Sequence, residues 1–176
     1  MTRYVALLRG INVGKANRIA MADLRAWVAD LGFADVATYI ASGNAVFTSE
    51  SGDDDSALAA AIEQRIDAET GLSIAVLVRS HAELAEADAG NPYPEADPTR
   101  VLVGFLAAEP AAGADIALSD VATGDEEVAV VGRVVYLNVP GGIGRSKLGE
   151  QLGKLVGVTV TTRNLRTVRK LVELSA

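Results

Sequence analysis

The chain opens with Tyr4-Val5-Ala6-Leu7-Leu8-Arg9-Gly10-Ile11-Asn12-Val13-Gly14-Lys15-Ala16-Asn17-Arg18, an apolar run joined to a basic, glycine-bearing loop. The run over 3–8 has β-branched and aromatic members, which predicts a strand inside a sheet. After the loop, an apolar helical face is predicted, and Gly32 is placed to end that helix. This face holds Met21, Leu24, Trp27, Val28 and Leu31, with the single tryptophan predicted to lie in the core.

The first half continues with two short predicted strands, 36–40 and 45–48, around the turn triplet Ser42-Gly43-Asn44. A helix with Leu58, Ile62 and Ile66 on one side then ends at Gly71, and a strand follows over 74–78. Ser80-His81-Ala82-Glu83 has the form of a capping box and predicts a short helix. The order strand, helix, strand, strand, helix, strand is that of a ferredoxin-like unit.

The second half repeats this order. Strands are predicted over 101–106, 127–131 and 134–139, with a short helix around 116–121 and Gly132-Arg133 as a hairpin turn. A helix carrying Leu148, Leu152, Leu155 and Val156 ends at Gly157, a strand covers 158–161, and Thr162 or Asn164 caps a last helix.

The predicted fold is α+β, with two ferredoxin-like βαββαβ halves and an extra C-terminal helix. The halves are residues 1–90 and 99–176, joined by the irregular segment 91–98 that contains Asn91-Pro92-Tyr93-Pro94. The two halves share a pattern, without evident matching residues.

Composition narrows the function classes. With 176 residues, 49% of them hydrophobic, the chain can bury a core, and no apolar run reaches the ~18–20 residues that cross a bilayer. The N-terminus lacks a signal-peptide pattern, so we expect a cytoplasmic protein without membrane contact. The absence of cysteine and the single histidine, His81, exclude thiol chemistry, a Ser–His–Asp hydrolase and a zinc site. We predict no metal and no cofactor.

The net charge of −7 hides a segregation of charge along the chain. Residues 23–132 carry 21 acidic and 4 basic side chains, whereas residues 1–22 carry 4 basic side chains and no acidic one. Residues 133–176 carry 8 basic and 2 acidic side chains. The sequence therefore allows either a basic face on an acidic body or chance clustering on a solvated surface.

Two basic corners between a strand and a helix are typical of anion sites. Gly10-Ile11-Asn12-Val13-Gly14-Lys15 lacks the spacing and the Ser/Thr of a Walker motif, but its glycines allow backbone N–H groups to face an anion. Gly141-Gly142-Ile143-Gly144-Arg145-Ser146-Lys147 is the second corner. The alternative is that both are plain turns and that Ser146 only caps a helix.

A third basic segment, Thr161-Thr162-Arg163-Asn164, precedes the last helix, where Arg163, Arg166 and Lys170 have helical spacing. These three cations form either a phosphate-contacting stripe or the solvated side of an amphipathic helix. The candidate ligand-binding residues from all the segments are Arg9, Asn12, Lys15, Arg145, Ser146, Lys147 and Arg163, with Ser42 and Asn44 at the rim.

These segments together resemble a bacterial family, domain-of-unknown-function family 1697. The resemblance rests on the opening run through Gly14 and on Met21-Ala22-Asp23-Leu24-Arg25, Tyr39-Ile40-Ala41-Ser42-Gly43-Asn44-Ala45-Val46-Phe47, Arg79-Ser80, Asn91-Pro92, Gly144-Arg145-Ser146-Lys147-Leu148 and Thr161-Thr162-Arg163-Asn164. Lys15 stands where the family usually has a second glycine, and Leu165 where it usually has tryptophan. The resemblance implies ferredoxin-like units and no established activity.

The leading hypothesis is a protein that binds a small molecule bearing a phosphate or carboxylate; the sequence leaves open whether it is an enzyme. The first alternative is RNA binding through a basic face, against which stand the 5% aromatic content and the acidic body. The second is a protein-interaction or self-assembly module. The pattern selects no oligomeric state.

Overall fold

The computed structural model describes all residues from 1 to 176, in two successive groups of elements. The first group comprises β1 (Thr2–Leu8), α1 (Met21–Asp30), β2 (Ala34–Tyr39), β3 (Asn44–Ser49), α2 (Asp55–Thr70), β4 (Val76–Ser80) and α3 (His81–Ala89). The second comprises β5 (Val101–Leu106), α4 (Ala114–Val121), β6 (Glu127–Val131), β7 (Val134–Asn138), α5 (Lys147–Val156), β8 (Val160–Asn164) and α6 (Leu165–Ser175), with a 3-10 turn at Ile143–Arg145 before α5. None of the helices combines the length and the apolar character needed to cross a bilayer.

Each group of strands forms one antiparallel four-stranded sheet. The strand orders are β2-β3-β1-β4 and β6-β7-β5-β8, so the first strand of each group lies in the middle of its sheet. This is the ferredoxin-like arrangement, and the predicted α+β fold with two such halves and a C-terminal helix is confirmed. The apolar run of β1 fits its place between β3 and β4, where both strand edges are paired.

The folded chain divides into two compact units. The first unit is Met1–Ala85 with Leu171–Ala176, and the second is Glu86–Lys170. The divisions fall inside α3 and α6. The predicted division into halves 1–90 and 99–176, with a linker over 91–98, stays a prediction.

Each unit has its own apolar core beneath one sheet face. In the first unit, α1 contributes Leu24 and Val28, and Trp27 packs partly buried against the same cluster. In the second unit, Leu118 of α4 and Leu152 of α5 lie in the core. The helical faces predicted from periodicity are therefore the buried faces.

The two halves have equivalent residues that the sequence alone did not reveal. Arg79 pairs with Val5 across β1 and β4, and Arg163 pairs with Val103 across β5 and β8. Both arginines are buried, and each donates a 2.8 Å hydrogen bond from Nη1 to the carbonyl of the preceding residue.

The residue after each buried arginine caps the next helix. The Ser80 hydroxyl accepts from the amide of Glu83 at 3.3 Å, which confirms the capping box. Asn164 Oδ1 accepts from the amide of Thr167 at 2.9 Å and is thus the cap of α6. Pairing with β5 continues through Asn164, so Arg163 lies in a strand and shares no helical face with Arg166 and Lys170.

The turn between β2 and β3 lies directly against the opening loop. The carbonyl of Gly43 accepts a 2.9 Å hydrogen bond from the amide of Leu8. Gly43 has a φ of +92°, and a Cβ atom there would lie 2.6 Å from Ile11 Cδ1 and 2.8 Å from Leu8 Cβ. Only glycine combines this backbone angle with such a close approach.

We therefore predict that Gly43→Ala lowers the free energy of unfolding by about 3 kcal/mol or more, from left-handed strain of ~1–2 kcal/mol and overpacking of ~1–3 kcal/mol. The control is Gly32→Ala, because Gly32 has a φ of +89° with no atom within 4 Å of the added Cβ. The Gly32→Ala control should therefore lose only the ~1–2 kcal/mol of left-handed strain. Equal losses for both variants in urea denaturation would contradict the close packing of the turn on the loop.

Candidate functional site

The nine candidate residues fall into two groups. Arg9, Asn12, Lys15, Ser42 and Asn44 belong to the first unit, and Arg145, Ser146, Lys147 and Arg163 belong to the second.

The loop over 9–20 is closed by hydrogen bonds inside itself. The amide of Asn12 donates to the carbonyl of Asn17 at 3.0 Å, and Asn17 Nδ2 donates to the carbonyl of Gly10 at 3.1 Å. A bridge between Val13 and Ala16 leaves the side chain of Lys15 exposed at the tip. Asn12 and Asn17 have φ angles of +52° and +51°, a conformation that asparagine tolerates better than most residues.

The Asn12 side chain fixes the loop to its surroundings. Its Nδ2 donates to the carbonyls of Ile19 and Ala41, both at 2.8 Å, and its Oδ1 accepts from the amide of Ile19 at 2.9 Å. Both amide hydrogens are thereby used within the protein. Asn12 thus holds the loop, the segment just before α1 and the β2–β3 turn together.

An open cavity of about 350 Å³ lies where these three segments meet. It is lined by Asn12, Arg18, Ile19, Ala20, Met21 and Ala41. The volume falls within the range of small-molecule pockets. No side chain caps the N-terminus of α1, so its first amide groups remain available beside the cavity. Arg18 belongs to the opening loop but was not among the predicted site residues; its position shortly before α1 was the signal that could have found it.

The cations of this loop lack carboxylate partners. Arg9, Lys15 and Arg18 are exposed, and none of them forms an ion pair. Three other arginines of the same unit do have carboxylate partners, at N–O distances of 3.9 Å for Arg3 with Asp35, 2.8 Å for Arg65 with Asp30 and 3.4 Å for Arg79 with Asp55. The loop is thus a local positive region in an acidic protein.

Ser42 and Asn44 form the turn at the rim. Asn44 is fully buried and donates from Nδ2 to the carbonyl of Tyr39 at 2.8 Å and to Ser42 Oγ at 3.1 Å. Asn44 therefore shapes the turn, whereas Ser42 is exposed next to Ala41, a residue of the cavity wall.

A second cavity of the first unit has the opposite charge. It measures about 520 Å³ and is lined by Glu63, Gln64, Asp67, Ser73, Ile74 and Ala75. Glu63 Oε1 accepts a 2.8 Å hydrogen bond from the amide of Val76. Two carboxylates and no cation line this cavity, so it disfavours an anion.

The corner over 141–147 in the second unit is organised around Ser146. The Ser146 hydroxyl accepts from the amide of Leu148 at 3.1 Å and caps α5. The pKa of Glu126 is held below its usual value, mainly by a hydrogen bond from the backbone amide of Thr123. A hydrogen bond from the Ser146 side chain lowers the pKa to a smaller extent. Ser146 is buried and engaged, and the nearby carboxylate of Glu126 lowers the attraction of this corner for an anion.

The cations of the second unit differ in their exposure to solvent. Arg145, like Lys147, is exposed, and Arg100 brings a further cation to this corner, since its Nη1 lies 2.5 Å from the position that a Cβ of Gly142 would take. Arg163 is buried and donates to Thr161 Oγ1 at 3.2 Å, and burial lowers its pKa to about 10. Arg163 remains a cation at neutral pH inside its own strand.

The single histidine contacts a serine without activating it. His81 Nδ1 lies 3.0 Å from Ser175 Oγ, and the Ser175 hydroxyl donates to the carbonyl of Leu171 at 2.7 Å. With the hydroxyl hydrogen on the Leu171 carbonyl, the serine oxygen can only accept from the imidazole. This geometry differs from that of a nucleophilic serine with a histidine base.

The role of Asn12 is tested by an isosteric change. We predict that Asn12→Asp lowers the free energy of unfolding by about 2–4 kcal/mol, because the Ile19 and Ala41 carbonyls lose their donors. Asn17→Asp is the control: it adds the same charge in the same loop at nearly the same φ, and it removes one exposed hydrogen bond. Its cost should be about 1 kcal/mol or less. Equal losses in the free energy of unfolding for both variants, measured by urea denaturation, would refute the role of Asn12 in holding these segments together.

Comparisons with known proteins agree with this fold. A family model described as "Protein of unknown function (DUF1697)" matches residues 1–136. Among solved structures, the chain is similar to the conserved bacterial protein SP0830 from Streptococcus pneumoniae, with a TM-score of 0.75, 23% identity and 99% of each chain covered. At that identity the likeness shows a shared fold alone. No curated protein matches the chain. The chain belongs to the DUF1697 family of proteins of unknown function.

Proposed function

We propose that this protein binds a small molecule bearing a phosphate or carboxylate at the cavity between the opening loop, the start of α1 and the β2–β3 turn. The observation that carries the proposal is an open 350 Å³ cavity with Arg18 in its wall, in a loop whose other two cations, Arg9 and Lys15, also lack carboxylate partners. In a protein with 23 acidic residues, such a region favours an anion from outside the chain.

The contacts divide into three kinds. Arg18 supplies a charge-assisted hydrogen bond, and the uncapped amides at the start of α1 supply backbone donors. Lys15 and Arg9 raise the local positive potential, and Ser42 stands at the rim. Asn12 positions these groups, since its own donors are used.

The surrounding charges favour the opening loop over the corner at 141–147 as the location of the ligand. Arg100, Arg145 and Lys147 form a comparable group of cations, but Ser146 is engaged as a helix cap beside Glu126. A ligand there would compete with a carboxylate at close range. We therefore place the ligand at the opening loop and treat the corner over 141–147 as the competing location.

RNA binding receives less support from the fold. RNA-recognition modules of ferredoxin-like topology stack bases on aromatic side chains of an exposed sheet face. Here β3 and β5 are buried at all six of their positions, and β1 is buried from Val5 to Leu8. The central strands thus offer no open platform for stacked bases.

The test is the thermal and calorimetric response to inorganic phosphate, simple phosphate monoesters and acetate. Ligand at a hundred times its dissociation constant should add ~2.7 kcal/mol to the free energy of unfolding and raise Tm. Arg18→Ala should weaken phosphate binding about tenfold or more, because a charge-assisted hydrogen bond of ~1.5–3 kcal/mol is lost. Lys15→Ala should weaken it less.

Two matched variants locate the site. Lys147→Ala removes one positive charge at the competing corner, and Lys154→Ala removes one from the last turn of α5; neither should change the affinity for phosphate. A loss with Lys147→Ala and none with Arg18→Ala would move the site to the second unit. A missing response to every anion, combined with salt-sensitive binding of single-stranded RNA, would favour the alternative function.

A further inference from the structure

Two exposed apolar side chains are sequence neighbours of residues that line the cavity. Val13, which follows Asn12, is 69% exposed, and Ile40, which precedes Ala41, is 46% exposed. The 2.8 Å hydrogen bond from Asn12 Nδ2 to the Ala41 carbonyl holds their two segments together. The chain has five exposed large apolar side chains, so two of the five lie next to residues of one cavity wall.

The backbone of Ile40 supports a role for this surface. Ile40 has a φ of +48°, and it is the only β-branched residue of the chain with a positive φ. This conformation is costly for a branched side chain, and strained residues cluster at functional sites. An asparagine or glycine would fit the turn better by backbone criteria alone. An isoleucine that is strained and partly exposed is therefore poorly explained by folding.

We infer that the ligand of this cavity is an amphiphilic anion: a phosphate or carboxylate group held at Arg18, joined to an aliphatic chain that packs on Val13 and Ile40. This inference rests on the proposed function and adds the class of ligand. The open cavity of about 350 Å³ suits a soluble molecule with a short chain. The cations and the apolar side chains on adjoining segments match the two ends of such a molecule.

The experiment compares methyl, butyl and hexyl phosphate by calorimetry at fixed pH and salt. Full burial of a methylene corresponds to about fourfold in affinity. For partial cover on an open surface, hexyl phosphate should bind at least about tenfold more tightly than methyl phosphate. In the double variant with Val13→Ser and Ile40→Asn, methyl phosphate should bind as before and the gain with chain length should disappear.

Two controls keep the result specific. Ile116→Asn removes another large apolar side chain, 64% exposed on α4 of the second unit, and should leave the whole series unchanged. Val13→Ser alone serves where the double variant is unstable, and it should reduce the gain. Vesicles of phosphatidylcholine with and without phosphatidic acid separate a free ligand from a lipid headgroup; we expect no co-sedimentation with either.

The outcomes distinguish the two proposals. If methyl phosphate binds and hexyl phosphate binds no more tightly, the amphiphilic ligand is overturned and anion binding stands. A gain with chain length that survives in the double variant also overturns it, because the apolar contact lies elsewhere. Binding of neither ester overturns both proposals, and co-sedimentation that requires phosphatidic acid reassigns the surface to a membrane lipid.

Discussion

The candidate site depends on one side chain, the amide of Asn12. Three hydrogen bonds of 2.8–2.9 Å connect it to the residue two positions before α1 and to the turn between β2 and β3. The β2–β3 turn is distant in sequence from the loop, since Ala41 lies 29 residues after Asn12. A neutral side chain that both donates and accepts is required, because the partners are two carbonyls and one amide. Aspartate, leucine or lysine would leave some of them unsatisfied.

The backbone conformation of the β2–β3 turn also shapes the candidate site. Gly43 allows the β2–β3 turn to approach Ile11 and Leu8 more closely than any side chain would permit. Ile40, three residues earlier, adopts a positive φ in the same turn. The turn thus contains one residue whose small size the packing demands and one whose branched side chain the backbone disfavours. The first is explained by the fold. For the second we propose that the exposed side chain contacts the ligand.

Much of the fold was accessible from local pattern. Apolar runs and helical faces predicted the order of elements, since each half buries continuous strands and one side of each helix. The ends of β4 and β8 were displaced by two or three residues, because pairing with β1 and β5 continues past the apolar residues into Ser80 and Asn164. The equivalence of Arg79 and Arg163 became visible only from strand register.

The site was less predictable because residue type does not reveal which polar groups are already engaged. Asn12, Asn44 and Ser146 have the side chains of ligand donors, yet their hydrogen bonds hold the protein together. Arg163 has the positive charge of a phosphate-binding residue, but it is buried in a strand. Arg18 and Ile40 were not among the predicted site residues, because the first is distinguished by its place in the cavity wall and the second by its backbone angle.

The most direct measurement is a titration of the isotope-labelled protein with butyl phosphate, followed by amide NMR. If the ligand binds between the opening loop, the start of α1 and the β2–β3 turn, shifts should concentrate on residues 12–23 and 40–43. They should saturate with a single dissociation constant. Shifts concentrated on residues 141–148, or scattered over the basic surface without saturation, would contradict a site organised by Asn12.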